Sequence, residues 1–120
     1  MKGSRLAYAA LGIVAIAVAI ASVAWMHASW SQIVVFAIAP DVTLLAGAAP
    51  GVQRGQLSPR AVPFYNAVHR FWIPVAMMVV AGLLQQVAWF AGGLAWIAHI
   101  AVDRSLGFGL RTPEGFQRTR

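Results

Sequence analysis

Ala95-Trp-Ile-Ala-His99-Ile-Ala-Val-Asp103-Arg104-Ser-Leu-Gly107-Phe-Gly109 is the stretch on which the fold turns. It begins as an apolar helix and ends in a histidine, an aspartate and an arginine. His99 and Asp103 are four apart, so a helix stacks them on one face, one turn above the other. Gly107 and Gly109 predict the stop, because glycine takes the left-handed cap. An apolar helix that delivers an ionisable pair near its end points to a site inside a hydrophobic bundle.

Outward from this stretch the chain is more apolar still. It is 60% hydrophobic and 10% charged, where a soluble domain carries about 25% charged residues. A chain of 120 residues has too little interior to hide that much apolar surface. Lipid is therefore the expected solvent. Leu6 to Met26 is uncharged throughout. At about 1.5 Å per residue it crosses a hydrocarbon core of about 30 Å. Lys2 and Arg5 precede it, as in a signal peptide, but a signal peptide has a shorter apolar middle, so the run is read as a retained span. Further spans are expected at about 33–49, 63–84 and 87–103, with a tail over 104–120. The expected fold is all-α: one domain, an integral membrane four-helix bundle.

Local signals refine this picture. Gly12, Ala15, Ala19 and Ser22 form a small-residue stripe suited to close helix approach in lipid, as does Gly92-Gly93. Trp25, His27 and Trp30 mark the first turn at headgroup level. Pro50, Gly51, Gly55, Ser58 and Pro59 mark a second loop, and Gln85-Gln86 a tight third one. Pro63 suits a first helical turn, and Pro74 predicts a kink in an otherwise continuous third span. Thr112-Pro-Glu-Gly115 has the residues of a β-turn.

Charge sets the orientation. The nine Lys and Arg fall at the N-terminus, in the second loop with the adjoining start of the third span, and on the C-terminal side. The positive-inside rule then places both termini in the cytoplasm, in a multi-pass protein of the inner (cytoplasmic) membrane. The bilayer is the expected partner, and a homo-oligomer or another membrane protein is compatible with the sequence. Nucleic acid is not expected, because the basic residues sit between apolar runs and form no patch among polar ones. Arg111, Arg118 and Arg120 are expected in solvent or on anionic headgroups. Cysteine is absent, which excludes a disulfide framework, a thiolate nucleophile and a thiolate metal site.

Asp41 is the residue hardest to explain by packing. It follows Pro40 near the middle of the second span, and a carboxylate at the bilayer centre costs about 2.5–3.5 kcal/mol on insertion scales. It must face the interior, take a proton or find a partner. The expected topology brings it to the depth of Asn66, His69 and Arg70 at the start of the third span, and of His99 and Asp103 at the end of the fourth. Asp41, His69, His99 and Asp103 are thus candidate ligands for zinc, iron or manganese, or metal-free catalytic acid–base and proton-relay groups. Tyr65, Asn66, Arg70 and Arg104 are candidate substrate-binding residues, the arginines as anion binders. A hydrogen-bond network that only fixes helix packing uses the same residues. Ala95-xxx-His99 also fits the unspecific pattern of pigment-ligating helices, with Asp103 competing for the imidazole. The readings left open are a membrane protein of unassigned function with a buried Asp/Asn/His pocket for a small molecule or partner, a metal-dependent enzyme on a lipid-like substrate, and a small transporter or proton relay.

Pro40-Asp41-xx-Leu44 is one of three motifs that carry a family resemblance. With Tyr65-Asn66-xx-His69 and His99-xxx-Asp103-Arg104-x-Leu106-Gly107-Phe108-Gly109-Leu110, it resembles the small bacterial membrane proteins grouped as domain of unknown function 4260. The resemblance covers most of the chain and implies a four-helix integral membrane fold. It carries no activity across. It also implies a histidine in the tail where Arg120 stands.

Overall fold

The computed structural model describes residues 2–47 and 51–118. Ala48, Ala49 and Pro50, at the expected end of the second span and start of its loop, lie outside the described residues, as does Arg120. Among the described residues the fold is all-helical: α1 (Lys2–Met26), α2 (Trp30–Ile38), α3 (Val42–Ala46), α4 (Val62–Val68), α5 (Trp72–Leu83) and α6 (Val87–Ser105). Short 3-10 turns at Ala39–Asp41 and Pro59–Ala61 lead into α3 and α4.

α6 is the hub, and α1, α2 and α5 pack against it. It can be surrounded because its buried positions are mostly small: Ala91, Gly92, Gly93, Ala95, Ala98 and Ala101. A Cβ on Gly92 would come within 2.7 Å of Phe36 on α2, and one on Gly93 would collide with Met78 on α5. The third face of α6 takes α1. Here Gly12, Ala15, Ala19 and Ser22 are buried, and a Cβ on Gly12 would lie 3.3 Å from Val102. The small-residue stripe is therefore the packing face of α1, and dispersion across it replaces the side-chain interdigitation of larger residues.

The second and third expected spans are not continuous helices. Pro40 ends α2, and the chain passes through its 3-10 turn before α3 begins. The third stretch breaks at His69–Phe71, and its two parts meet at 44°. The expected kink at Pro74 thus lies upstream of the proline. A proline ring clashes with the carbonyl four residues before it, here Arg70. Pro74 itself sits in the first turn of α5, where no N–H is required. Among the described residues one helix, Gly3–Met26, is long and apolar enough to cross a membrane, and the bent pair makes a second if counted as one span.

Helix ends follow the sequence closely in one case and not in two others. Gly107 takes φ +94° after α6, and the Phe108 and Gly107 N–H groups donate to the Asp103 and Arg104 carbonyls. His27 and Gln85 fill the same left-handed role after α1 and α5 without being glycine. The Thr112–Gly115 turn forms, with Gly115 at φ +105° and its N–H on the Thr112 carbonyl. The tail does not trail into solvent as expected. Arg111 bridges to Gln117, and the Leu57 N–H donates to the Gly115 carbonyl at 2.8 Å. The Arg111 guanidinium donates to the Gly55 and Gly115 carbonyls. The Arg5 guanidinium lies against Gly107, so the start of α1, the second loop and the tail gather at one end.

Ala19 is wholly buried at the α1–α6 seam, so Ala19→Leu is expected to lower stability by about 1–3 kcal/mol through overpacking. A thermal melt of the purified protein checks this, with Ile13→Leu on the exposed face of α1 as the unchanged control.

Candidate metal centre

The two helix breaks and the end of α6 meet. Asp41 closes the 3-10 turn after Pro40, His69 caps α4 at the second break, and His99 and Asp103 lie one turn apart on α6. One ligand atom from each of these four residues lies within 4.8 Å of all the others. His69 Nε2 is 3.5 Å from Asp41 Oδ1 and 3.3 Å from Asp103 Oδ2. His99 Nε2 is 3.1 Å from Asp41 Oδ1 and 3.4 Å from Asp103 Oδ2.

The orientation of the imidazoles is set from behind. His69 Nδ1 lies 2.8 Å from the Tyr65 carbonyl, and His99 Nδ1 lies 2.7 Å from the Ala37 carbonyl. A carbonyl only accepts, so each Nδ1 carries the hydrogen. In the neutral ring each Nε2 is then a lone pair, and both face carboxylate oxygens that also only accept. His69 is 2% exposed, and its Nε2 has no hydrogen-bond partner. With both rings neutral, four acceptors face one another; a proton on His99 Nε2, which then donates to Asp41 Oδ1 at 3.1 Å, relieves one side of the set, and a cation would relieve all four groups.

The spacing suits one ion. Nitrogen and oxygen ligands lie about 2.0–2.1 Å from tetrahedral zinc, which puts the ligand atoms about 3.3 Å from one another. The four imidazole–carboxylate distances, 3.1 to 3.5 Å, bracket that edge. The outward N–H bonds are also what a ligating histidine needs, since they fix the tautomer and the ring.

The breaks are chemically closed by side chains. A helix end leaves carbonyls without partners. Tyr65 O accepts from His69 Nδ1, Val68 O from Trp96 Nε1 at 2.7 Å, and His69 O from Arg104 Nη2 at 3.3 Å. Two residues of α6 thus support the bend that presents His69.

The expected substrate-binding residues divide. Tyr65 is at the cluster, stacked on His69 with ring centres 3.9 Å apart. Arg104 is beside it, braced on the His69 carbonyl and over the Phe71 and Tyr8 rings, which makes it a backbone support. Asn66 does not face the cluster groups: its amide accepts from Arg111 N at 2.7 Å and donates to Arg111 O at 3.0 Å. Arg70 is exposed and takes no part in the gathered set. The pigment pattern at Ala95-xxx-His99 is displaced, since both nitrogens of His99 are engaged. Sequence reasoning missed Arg111, which lies 4.9 Å over the Tyr65 ring and so backs the ring that backs His69. It also missed Trp96. Nothing in their spacing marked either residue.

Several clefts flank the bundle. One, of about 280 Å³, runs between α1, α2 and α6 and reaches His99; Ile16, Ala37, Ala95 and Val102 line it. Another, of about 560 Å³, lies toward the start of α6 between Trp25, Ala81 and Phe90, away from the cluster.

The family model described as Domain of unknown function (DUF4260) matches residues 6–120. No match was found among curated proteins or among solved structures.

Asn66→Ala removes the two hydrogen bonds from α4 to the Arg111 backbone and leaves the guanidinium bonds to Gly55 and Gly115; polar groups left unpaired cost up to about 1–3 kcal/mol. Hydrogen exchange is expected to speed up across residues 110–117 while α6 stays protected.

Proposed function

The chain belongs to the DUF4260 family, and we propose that it is a lipid-embedded protein holding one divalent cation between Asp41, His69, His99 and Asp103. The observation that carries the reading is His69 Nε2, buried and without a hydrogen-bond partner, gathered with two carboxylates and the His99 imidazole. Zinc suits two imidazoles with two carboxylates, and iron or manganese accept the same donors.

The outer surface supports lipid as the surroundings. Leu6, Ile13 and Val14 on α1, Val34, Val35 and Ile38 on α2, and Val79, Val80 and Leu83 on α5 are all exposed. Soluble monomers rarely expose contiguous apolar patches above a few hundred Å². Trp25 and Trp30 at one end and Trp72 at the other are exposed, as in interfacial belts. Broken helices are tolerated at membrane depth where protein buries them and side chains satisfy the freed carbonyls. With Arg5, Arg54, Arg60 and Arg111 at the cluster end, the positive-inside rule turns that end to the cytoplasm of an inner-membrane protein.

A second reading adds catalysis on a lipid-like substrate. The cleft against His99 favours it, because a hydrocarbon chain lying there is beside a ligand of the cation. A bound divalent ion supplies Lewis acidity, or a water of lowered pKa. His69 and His99 hold their lone pairs toward it, and the apolar walls keep bulk water from that side.

Metal analysis of the full chain purified in detergent is expected to give close to one divalent ion per chain. Chelation is expected to lower the melting temperature, because an ion that binds only the folded state stabilises it. His69→Ala and His99→Ala are each expected to lose the ion. A protein without bound ion, whose melt ignores both chelator and added zinc, would remove this reading.

A further inference from the structure

The four groups are not equivalent in how they are held. His99 and Asp103 ride on one helix, at the hub of the bundle, and their side chains are 10% and 23% exposed. His69 is 2% exposed and fixed three ways: Nδ1 on the Tyr65 carbonyl, its ring on the Tyr65 ring, and its own carbonyl under Arg104. Asp41 is 46% exposed at its side chain. It ends a three-residue 3-10 turn between α2 and α3, helices of nine and five residues. Among the described residues its carboxylate has no partner besides the two imidazoles. No second bond holds it in place once the cation lets go.

Resting on the metal reading, we infer that Asp41 is the exchangeable ligand of the centre: His69, His99 and Asp103 keep the cation, and Asp41 yields its position to an oxygen or anionic donor arriving from the exposed side. Two histidines and one carboxylate are a ligand set that catalytic zinc sites use when the fourth position stays open to water or substrate. The exchange breaks one cation–carboxylate bond and forms one cation–donor bond, with no change of oxidation state. The freed carboxylate keeps its charge and needs water at the exposed side of its turn, which the proposed cytoplasmic orientation of the cluster end would supply. Among the described residues Asp103 also meets only the two imidazoles, but its side chain is half as exposed and its backbone is fixed inside α6, which leaves its carboxylate less room to move than that of Asp41. An equivalent movement is closed to His69 by the packing described above and to His99 by the Ala37 carbonyl. The centre therefore opens at Asp41.

The test uses the full chain in detergent, loaded with cobalt(II), whose visible spectrum reports coordination, and titrated with azide as the incoming anion. The wild-type spectrum is expected to shift at high azide with cobalt retained. Asp41→Ala is expected to keep cobalt and shift at lower azide, since the competitor is gone. His69→Ala and His99→Ala are expected to lose cobalt. Asp41→Asn, which keeps the shape and drops the charge, is read in parallel and stands in if Asp41→Ala loses its helical dichroism. Loss of cobalt from folded Asp41 variants as complete as in His99→Ala overturns the inference, and so does a wild-type spectrum indifferent to azide. Those results leave the metal centre standing as a closed four-ligand site. A wild-type chain that takes up no cobalt at all overturns the metal reading, and this one with it.

Discussion

Two imidazoles have their N–H groups fastened outward to backbone carbonyls, and the rest of the core answers to that constraint. His69 is tied to Tyr65 O and His99 to Ala37 O. Each ring then has one face of its chemistry left, a lone pair directed inward. Asp41 and Asp103 bring acceptors to the same place. A buried acceptor without a donor costs about 1–3 kcal/mol, and several together add repulsion. The arrangement is stable only with positive charge at its centre. Protons on the imidazoles would supply it in part; a divalent ion supplies it to all four groups at once.

The same bonds explain why the helices are short where they are. A continuous third helix would bury the Tyr65, Val68 and His69 carbonyls in its own ladder. Pro74 forbids that ladder at Arg70, and the chain breaks. The freed carbonyls of Val68 and His69 are taken by Trp96 and Arg104, while the Tyr65 carbonyl accepts His69 Nδ1 beside the His69 backbone N–H. Pro40 acts alike on the second stretch, where Ala37, in the last turn of α2, has a carbonyl left for His99. The prolines thus create acceptors, the acceptors orient rings, and the oriented rings make the centre. In hydrocarbon the sequence of causes is stricter still, since no water is present to satisfy what the breaks expose.

Much of this was legible before any coordinates. The apolar runs and the i, i+4 pair in α6 pointed to helices and to a shared depth, and Asp41 stood out because nothing but a partner could excuse it. The small-residue stripe of α1 was readable because close approach leaves a compositional mark. Other parts were hidden for physical reasons. Asn66 shares a turn with Tyr65 and one turn with Arg70, so spacing alone placed it with the site, but its amide matches a backbone N–H and C=O far away in sequence. Arg111 looked like a surface charge, since an arginine braced on carbonyls and a Tyr ring has the same local context as a solvated one. Pro74 marked a break but not its place, because the clash falls four residues upstream.

The cluster also decides what holds the halves of the molecule together. α1, α2, α5 and α6 form one packed group, whereas α3 and α4 are short and pack on each other and on the turns beside them. Asp41 stands at the entrance to α3, His69 at the exit from α4, and the other two ligands on the hub. A cation bound to all four crosslinks three separate segments of chain. Its binding energy is then folding energy for the α3–α4 region, because the unfolded chain offers no preformed site. With Asp41 as the proposed exchangeable ligand and the link to α3, opening the centre would loosen the segment next to it while His69, His99 and Asp103 would keep α4 against α6. A site built this way joins ligand exchange to a local movement without disturbing the seam between α1 and α6 on which the bundle rests.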